Sequence, residues 1–223
     1  ANLSIVDKMK KADSNSKLLL GDIYVTMELP FLAVPQYLEV LNSEEKLSAQ
    51  KALRMIEVLV RSTYWKEANE VAPQIKEKFG GLFTPKEANK FDSLRAEILF
   101  ALNRKEEAVQ ALEELVERDP MNGRVLILLA GHYGTSFREN LDKNVQAADE
   151  FAAKAIFLYE RATNLEDSSL KASALMKQGQ ILVRQKKYAQ SLKMLKRAHA
   201  LKPRDSLQKY IDQVERLADL TKS

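Results

Sequence analysis

Apolar residues along this chain recur at helical spacing in blocks separated by polar stretches, and no block shows the sustained alternation of a strand. Within the blocks one short pattern repeats. A small or aliphatic residue is followed three places later by Tyr or Leu, and twelve places later by Ala or Ser. The first copy contains Gly21, Tyr24 and Ala33. Further copies begin at Ile56, Ala96 and Gly179. A fixed internal period is typical of repeat architectures, so the pattern predicts an all-α repeat protein.

Each copy predicts two antiparallel helices joined by a short turn, and five such pairs are predicted over residues 14–205. The boundaries fall at residues that start or stop helices. Pro30 suits the first turn of a helix, Thr84 with Glu87 resembles a capping box, and Pro120 prevents continuation. The predicted inner face of the second pair comprises Ala52, Met55, Ile56, Leu59, Trp65, Ala68, Ala72 and Ile75.

Two segments flank the predicted pairs. Residues 1–13 predict a partial N-terminal helix without a partner. Residues 206–223 predict a single amphipathic helix, which is what the end of a repeat array needs for solubility. Its apolar stripe comprises Leu207, Tyr210, Ile211, Val214, Leu217 and Ala218.

The fourth pair is longer than the others. Ala108 and Ala155 are 47 residues apart, whereas Ala33 and Ala68 are 35 apart. About a dozen extra residues are therefore predicted around 134–145, after a glycine-containing cluster that reads as a helix end. Insertions in repeat proteins map to one face and often contribute to binding. The candidate contacts in this predicted insertion loop are Phe137, Arg138 and Asn140.

Composition supports an ordered, helical, soluble protein, with 45% hydrophobic and 30% charged residues, seven Gly and six Pro. The absence of cysteine excludes disulfides, thiolate catalysis and Cys-based zinc sites. Charge is uneven: residues 171–223 hold 13 Lys or Arg against 4 Asp or Glu, a net charge of +9, which leaves −5 for residues 1–170. This basic third is an alternative site for nucleic acid or an anionic surface. Its cations alternate with apolar residues at helical spacing, which indicates the solvent face of an amphipathic helix instead.

No pattern in the chain favours catalysis. The two histidines lack the HExxH spacing of a zinc site, and the glycine cluster at 131–136 lacks the ending of a phosphate loop. Paired acidic residues sit on predicted solvent faces, so acid–base chemistry has no support. We therefore expect a non-enzymatic protein without metal or cofactor, with an accessory domain of a larger protein as an alternative. No apolar run approaches the roughly 20 residues that span a bilayer. The compartment stays open between the cytoplasm and a bacterial extracytoplasmic space.

The repeat resembles the tetratricopeptide repeat, whose pattern W-x2-L-G-x2-Y, A-x3-F and P spans about 34 residues. Leu20-Gly21 with Tyr24, followed by Ala33 and Tyr37, matches it in the first pair. The resemblance covers roughly residues 14–205. The first-helix Trp of the family is absent from every copy, and Arg95 stands where the family usually has Leu. These departures concern the details of the third unit and not the fold.

The resemblance implies a right-handed superhelical array of antiparallel helix pairs, a tetratricopeptide-like α-solenoid with a C-terminal capping helix. It also implies a non-enzymatic scaffold or adaptor that binds a peptide or a partner helix in a concave groove lined by the first helix of each pair. The residues placed on that groove are Arg54, Glu57, Arg61, Glu97, Phe100, Lys177, Gln180 and Arg184. One subgroup of the family binds a C-terminal carboxylate through five residues, Lys, Asn, Asn, Lys and Arg, spread over three repeats. No such set falls in register over three consecutive pairs of this chain, so that mode of binding is disfavoured. The partner is thus expected to be a protein or peptide, nucleic acid is disfavoured, and the oligomeric state is open.

Overall fold

The structure, a computed structural model, describes residues 13–43 and 47–221. Within these residues the chain forms eleven α-helices and no strand, so the predicted all-α fold is confirmed. The helices are α1 (Ser14–Thr26), α2 (Pro30–Asn42), α3 (Ala49–Arg61), α4 (Trp65–Phe79), α5 (Pro85–Ala101), α6 (Lys105–Arg118), α7 (Gly123–Asn140), α8 (Val145–Thr163), α9 (Ser168–Arg184), α10 (Tyr188–Leu201) and α11 (Asp205–Leu220).

The chain divides into two compact units, and the division falls inside α6 between Leu112 and Glu113. The N-terminal unit ends at Leu112, and the C-terminal unit begins at Glu113. The partial helix predicted over 1–13 lies outside the described residues, apart from Asp13, which caps α1. The division into five repeats stays a prediction.

In the N-terminal unit, α1 and α2 approach closely because Gly21 has no side chain. A Cβ atom at this position would lie 2.3 Å from Cε1 of Tyr37. The buried Tyr37 hydroxyl donates to Oδ1 of Asp22 at 2.7 Å, and Nη2 of Arg54 donates to Oδ2 at 2.5 Å. Asp22 therefore links three helices, and its largely buried carboxylate is paired on both oxygens, as a buried charge requires.

The core of the N-terminal unit includes the predicted inner faces of α3 and α4, together with buried residues of α1, α2 and α5. The aliphatic members of that set are all buried. Trp65 differs, since it lies at the start of α4, half-buried, and packs against the edge of the core rather than inside it. Thr84 and Glu87 form the predicted capping box at the start of α5.

In the C-terminal unit, the close approach seen at Gly21 recurs at Gly179. A Cβ atom on Gly179 would lie 2.7 Å from Cδ2 of Leu195 on α10. The buried Ser191 hydroxyl donates to the Gly179 carbonyl at 2.8 Å. The sequence pattern that pairs a small residue with Ala or Ser twelve places later is therefore a helix-crossing contact.

The last helix, α11, packs its apolar stripe against the core that contains Leu195 and Ala198. Its buried residues are Leu207, Ile211, Val214 and Ala218. Leu217, predicted as part of the stripe, is instead exposed.

The prediction of an insertion loop around 134–145 is wrong. Helix α7 continues through both glycines to Asn140, and α8 starts at Val145 after a four-residue link. The apolar stripe of α7 runs on from Tyr133 to Phe137, both buried. A glycine inside a helix costs only about 0.5–1 kcal/mol relative to alanine, less than burying such side chains gains. The extra residues therefore lengthen the helices to 18 and 19 residues.

Four turns in the described chain share one backbone conformation. Glu28, Thr63, Asn103 and Lys186 have φ between 58° and 64°, and each follows the first helix of a predicted pair. At the second turn, the Thr63 N–H donates to the Val60 carbonyl at 3.0 Å and the Tyr64 N–H to the Leu59 carbonyl at 2.9 Å. These bonds define the Schellman motif, whose left-handed position glycine favours. None of the four residues is glycine.

Replacing Thr63 by glycine is expected to stabilise the protein by about 0.5–1 kcal/mol. A β-branched residue is the least suited to positive φ. The strain of about 1–2 kcal/mol that glycine removes exceeds the entropy that it adds to the unfolded chain. Urea unfolding followed by circular dichroism measures the change. Ser62→Gly is the matched control, because Ser62 has φ −87° and its replacement should destabilise. A Thr63→Gly protein no more stable than the wild type would contradict the prediction.

Candidate partner-binding cleft

A cleft of about 400 Å³ opens in the C-terminal unit between α7, α9 and α11, with one residue from α8. Its size falls in the range typical of ligand sites. The residues that line it are Gly131, Gly134, Thr135, Phe137, Arg138, Tyr159, Lys177, Gln180, Ile181, Arg184 and Tyr210.

Helices α7 and α9 form two walls of the cleft, and their lining residues follow the same spacing along each helix. Residues at i, i+3, i+4 and i+7 share one face of a helix, so four side-chain positions from each helix face the same space. On α7 these are Gly131, Gly134, Thr135 and Arg138, and on α9 they are Lys177, Gln180, Ile181 and Arg184.

The cleft carries positive charge without compensation. Arg138, Lys177 and Arg184 are exposed side chains, and no carboxylate is present among the described residues that line the cleft. Nη2 of Arg138 donates to Oγ1 of Thr135 at 3.0 Å, a neutral partner. Such cations attract an anionic ligand group, and guanidinium groups hold carboxylates through two parallel hydrogen bonds.

Two tyrosines of the cleft lie beside these cations. Burial raises the pKa of Tyr159 to about 12, against the opposing charge of Arg138. Burial also raises the pKa of Tyr210, and the nearby Arg184 opposes it. Both hydroxyls are therefore protonated at neutral pH and can act as hydrogen-bond donors.

The structure brings together two sets of candidates that the sequence kept apart. Lys177, Gln180 and Arg184, placed on the groove, line the same cleft as Phe137 and Arg138, which were assigned to a loop. Phe137 lies inside α7 and is 0% exposed at the floor of the cleft, so its assignment to a loop is wrong, while its role as a contact stays a prediction. Asn140 ends α7 and does not line the cleft; its Nδ2 donates to the Ser136 carbonyl at 2.8 Å.

Several cleft residues were missed as ligand contacts. Gly131 and Gly134 were interpreted as part of a helix end, and Tyr210 was assigned to the apolar stripe of the last helix. The sequence signal for Gly131 and Gly134 is their helical spacing with Arg138. This spacing places the three residues on one face only if α7 continues past the glycines, as it does.

The N-terminal unit has a cleft of its own, about 540 Å³, between α3 and the start of α5. It contains the predicted residues Arg54 and Glu57, but both are already paired. Arg54 forms the ion pair with Asp22, and Glu57 pairs with Lys90. The charges of this cleft are thus largely satisfied within the protein. The lining residues are Gln50, Lys51, Leu53, Arg54, Glu57, Thr84, Lys86, Glu87 and Lys90.

The other three predicted groove residues line neither cleft. Arg61 is exposed at the last turn of α3. Glu97 and Phe100 are half-buried on α5. The structure therefore assigns these residues no common site, and their role as contacts stays a prediction.

The described part of the chain contains neither a metal-binding group nor a membrane-spanning helix. Nowhere in that part of the chain do three or more His, Cys, Asp or Glu side chains form a group that could hold a metal ion. None of the helices observed there has the length and apolar character needed to cross a membrane.

Comparison with known proteins agrees with the helical-repeat fold. The tetratricopeptide-repeat family model matches residues 93–122. No curated protein matches the chain in sequence. The MamA RS-1 ArsTM double mutant superposes with a TM-score of 0.59 at 15% identity, over 85% of this chain and 94% of that one. YrrB, a TPR protein with an unusual peptide-binding site, superposes with a TM-score of 0.59 at 14% identity, over 94% of this chain and 97% of that one.

At such identities the two solved structures show the fold alone, and the family model adds one repeat in sequence that covers the second half of α5 and all of α6. The chain therefore has the tetratricopeptide-repeat fold, and its residues 93–122 match that repeat in sequence.

Proposed function

We propose that this protein is a non-enzymatic interaction scaffold that binds an acidic segment of a partner protein in the cleft of its C-terminal unit. The repeat fold supports a scaffold for protein–protein interaction. The observation that supports the acidic ligand is the group of three cations, Arg138, Lys177 and Arg184, around a space without a carboxylate.

The contrast with the N-terminal unit supports this choice of site. Arg54 is 58% exposed in its side chain, yet its guanidinium already contacts Asp22. A ligand carboxylate there would have to compete with a fixed internal one. In the C-terminal cleft no internal carboxylate competes, so a ligand carboxylate gains the full charge-assisted hydrogen bond.

The proposal is tested with a fluorescently labelled hexaglutamate peptide, acetylated and amidated so that it has no free termini. We expect the double substitution Lys177→Glu and Arg184→Glu to weaken binding by about tenfold or more, since each hydrogen bond to a charged group contributes roughly 1.5–3 kcal/mol. Fluorescence anisotropy at low and at physiological salt measures the affinity, which should fall as salt rises.

The matched control is Lys193→Glu with Arg197→Glu on α10. These two side chains are exposed in the same unit and outside the cleft, and the change in net charge is identical. The control should alter the affinity at physiological salt by less than about threefold, because these side chains do not line the cleft and salt screens exposed charges. If both double variants weaken binding equally, the peptide responds to net charge and the cleft is not its site.

The same control bears on the alternative of nucleic-acid or anionic-surface binding through the basic C-terminal third. Lys193, Lys196 and Arg197 are exposed on α10, whereas Leu195 and Ala198 are buried, which supports the solvent face of an amphipathic helix. Binding of a single-stranded oligonucleotide that is lost in the Lys193→Glu and Arg197→Glu protein would favour the alternative.

A further inference from the structure

We infer that the acidic segment carries one large apolar side chain, which inserts between α7 and α9 over Gly131 and Gly134. This inference rests on the proposed function and specifies its ligand: acidic residues on either side of a single apolar one. The argument starts from the two glycines, which the packing of the protein does not require.

The five glycines that lie in the described α-helices fall into two classes by the space around them. A Cβ atom would lie 2.3 Å from another side chain at Gly21, 2.4 Å at Gly123 and 2.7 Å at Gly179, so a side chain at any of these positions would force a neighbouring one to move. At Gly131 the nearest atom would be the Tyr159 hydroxyl oxygen at 3.9 Å, and at Gly134 it would be Cδ1 of Ile181 at 3.7 Å. These are ordinary van der Waals distances, so alanine would fit at both.

The backbone does not require glycine at Gly131 and Gly134 either. No glycine in the described residues has positive φ, and both lie inside α7. Each glycine in a helix interior lowers stability by roughly 0.5–1 kcal/mol relative to alanine. Residues that lower stability are often retained where function requires them, and here the two glycines leave one wall of the cleft without side chains.

The cleft beside Gly131 and Gly134 has an apolar floor and a charged entrance. Phe137, Tyr159 and Ile181 line the cleft and are each at most 5% exposed. Arg138 and Arg184 line it as exposed side chains. An apolar ligand group gains by leaving water for such a floor, while carboxylates next to it in sequence reach the cations at the entrance. A ligand of carboxylates alone would leave the floor unused.

The test compares two acetylated and amidated heptapeptides of six glutamates, one with a central phenylalanine and one with a central alanine. For the wild-type protein we expect the phenylalanine peptide to bind about 10–100-fold more tightly, as burial of a phenylalanine side chain predicts. In Gly131→Leu, whose side chain occupies the floor, this ratio should fall below about threefold. Gly81→Leu is the matched control, because Gly81 is exposed, has open space around it and lies in the N-terminal unit; it should keep the wild-type ratio.

Each outcome decides one question. Equal affinity of the two peptides for the wild type, with both lost on Lys177→Glu and Arg184→Glu, overturns this inference and leaves the proposed function standing. Binding of neither peptide, or binding insensitive to that double substitution, overturns the proposed function itself. Where circular dichroism shows that Gly131→Leu is unfolded, Gly131→Ala replaces it. Its added methyl group should reduce the ratio severalfold without loss of structure, and an unchanged ratio would count against the inference.

Discussion

Truncation of Phe137 to alanine is expected to destabilise the protein by about 3–5 kcal/mol, the usual cost of removing a fully buried aromatic side chain. Phe137 is 0% exposed in the C-terminal unit, at the point where α7 continues beyond its two glycines. The loss has two parts: the transfer free energy of the ring and the cavity that its removal leaves. Chemical denaturation followed by far-UV circular dichroism measures it.

The neighbouring residue provides the control. Arg138 is exposed, so Arg138→Ala should change stability by less than about 0.5 kcal/mol while weakening the binding of the hexaglutamate peptide. A Phe137→Ala protein with near-wild-type stability would mean that the side chain is not packed, and the loop predicted from the sequence would then be the better description of this segment.

Replacement of Gly21 by alanine is expected to destabilise the N-terminal unit by about 2–4 kcal/mol, although alanine is the better helix former. The new methyl group would lie 2.3 Å from the Tyr37 ring, so the ring must move. Overpacking costs about 1–3 kcal/mol. Movement of the ring also breaks the hydrogen bond from Tyr37 to the Asp22 carboxylate, which adds roughly 1.5–3 kcal/mol. The gain in helix propensity of about 1 kcal/mol offsets only part of this sum.

The same substitution at Gly131 should have the opposite sign. Gly131→Ala introduces a methyl group whose nearest neighbour is 3.9 Å away, so only the propensity gain of about 0.5–1 kcal/mol remains. Thermal and urea unfolding of the two variants side by side measures the difference. Two changes of the same sign would show that packing around Gly21 is looser than the structure indicates.

The sequence predicted the fold well because its repeat is a direct consequence of packing. Gly21 and Ala33 recur as small residues twelve places apart since two helices cross there, and any array of such pairs must repeat the constraint. The turns were not predicted in detail. Glycine is the usual signal for a left-handed residue, and these turns use Glu28, Thr63, Asn103 and Lys186 instead.

The length of α7 was predicted wrongly because two local signals conflicted with a tertiary one. Gly131 and Gly134 favour a helix end, whereas the burial of Tyr133 and Phe137 favours continuation. Only the structure shows how much area the second effect buries. The error separated Arg138 from the cations of α9, which it joins in one cleft.

The candidate site was predicted in part. Lys177, Gln180 and Arg184 share a helix face by spacing alone, and the structure places all three in the cleft. The sequence could not show that Arg54 is paired, because Asp22 is 32 residues away and their contact depends on the packing of α1 against α3. Candidate residues on a single helix can thus be grouped from sequence, but their charge balance depends on contacts between helices.

The position of the one tryptophan decides how these experiments can be observed. Trp65 lies half-buried in the N-terminal unit, and the lining of the cleft includes two tyrosines and no tryptophan. Tryptophan emission therefore follows the unfolding of the N-terminal unit and does not report on occupancy of the cleft, so the optical label for binding must be carried by the peptide. Circular dichroism follows the helices of both units. Where its unfolding transition and that of the emission do not coincide, the two units unfold separately, and each substitution must be assigned to its own transition.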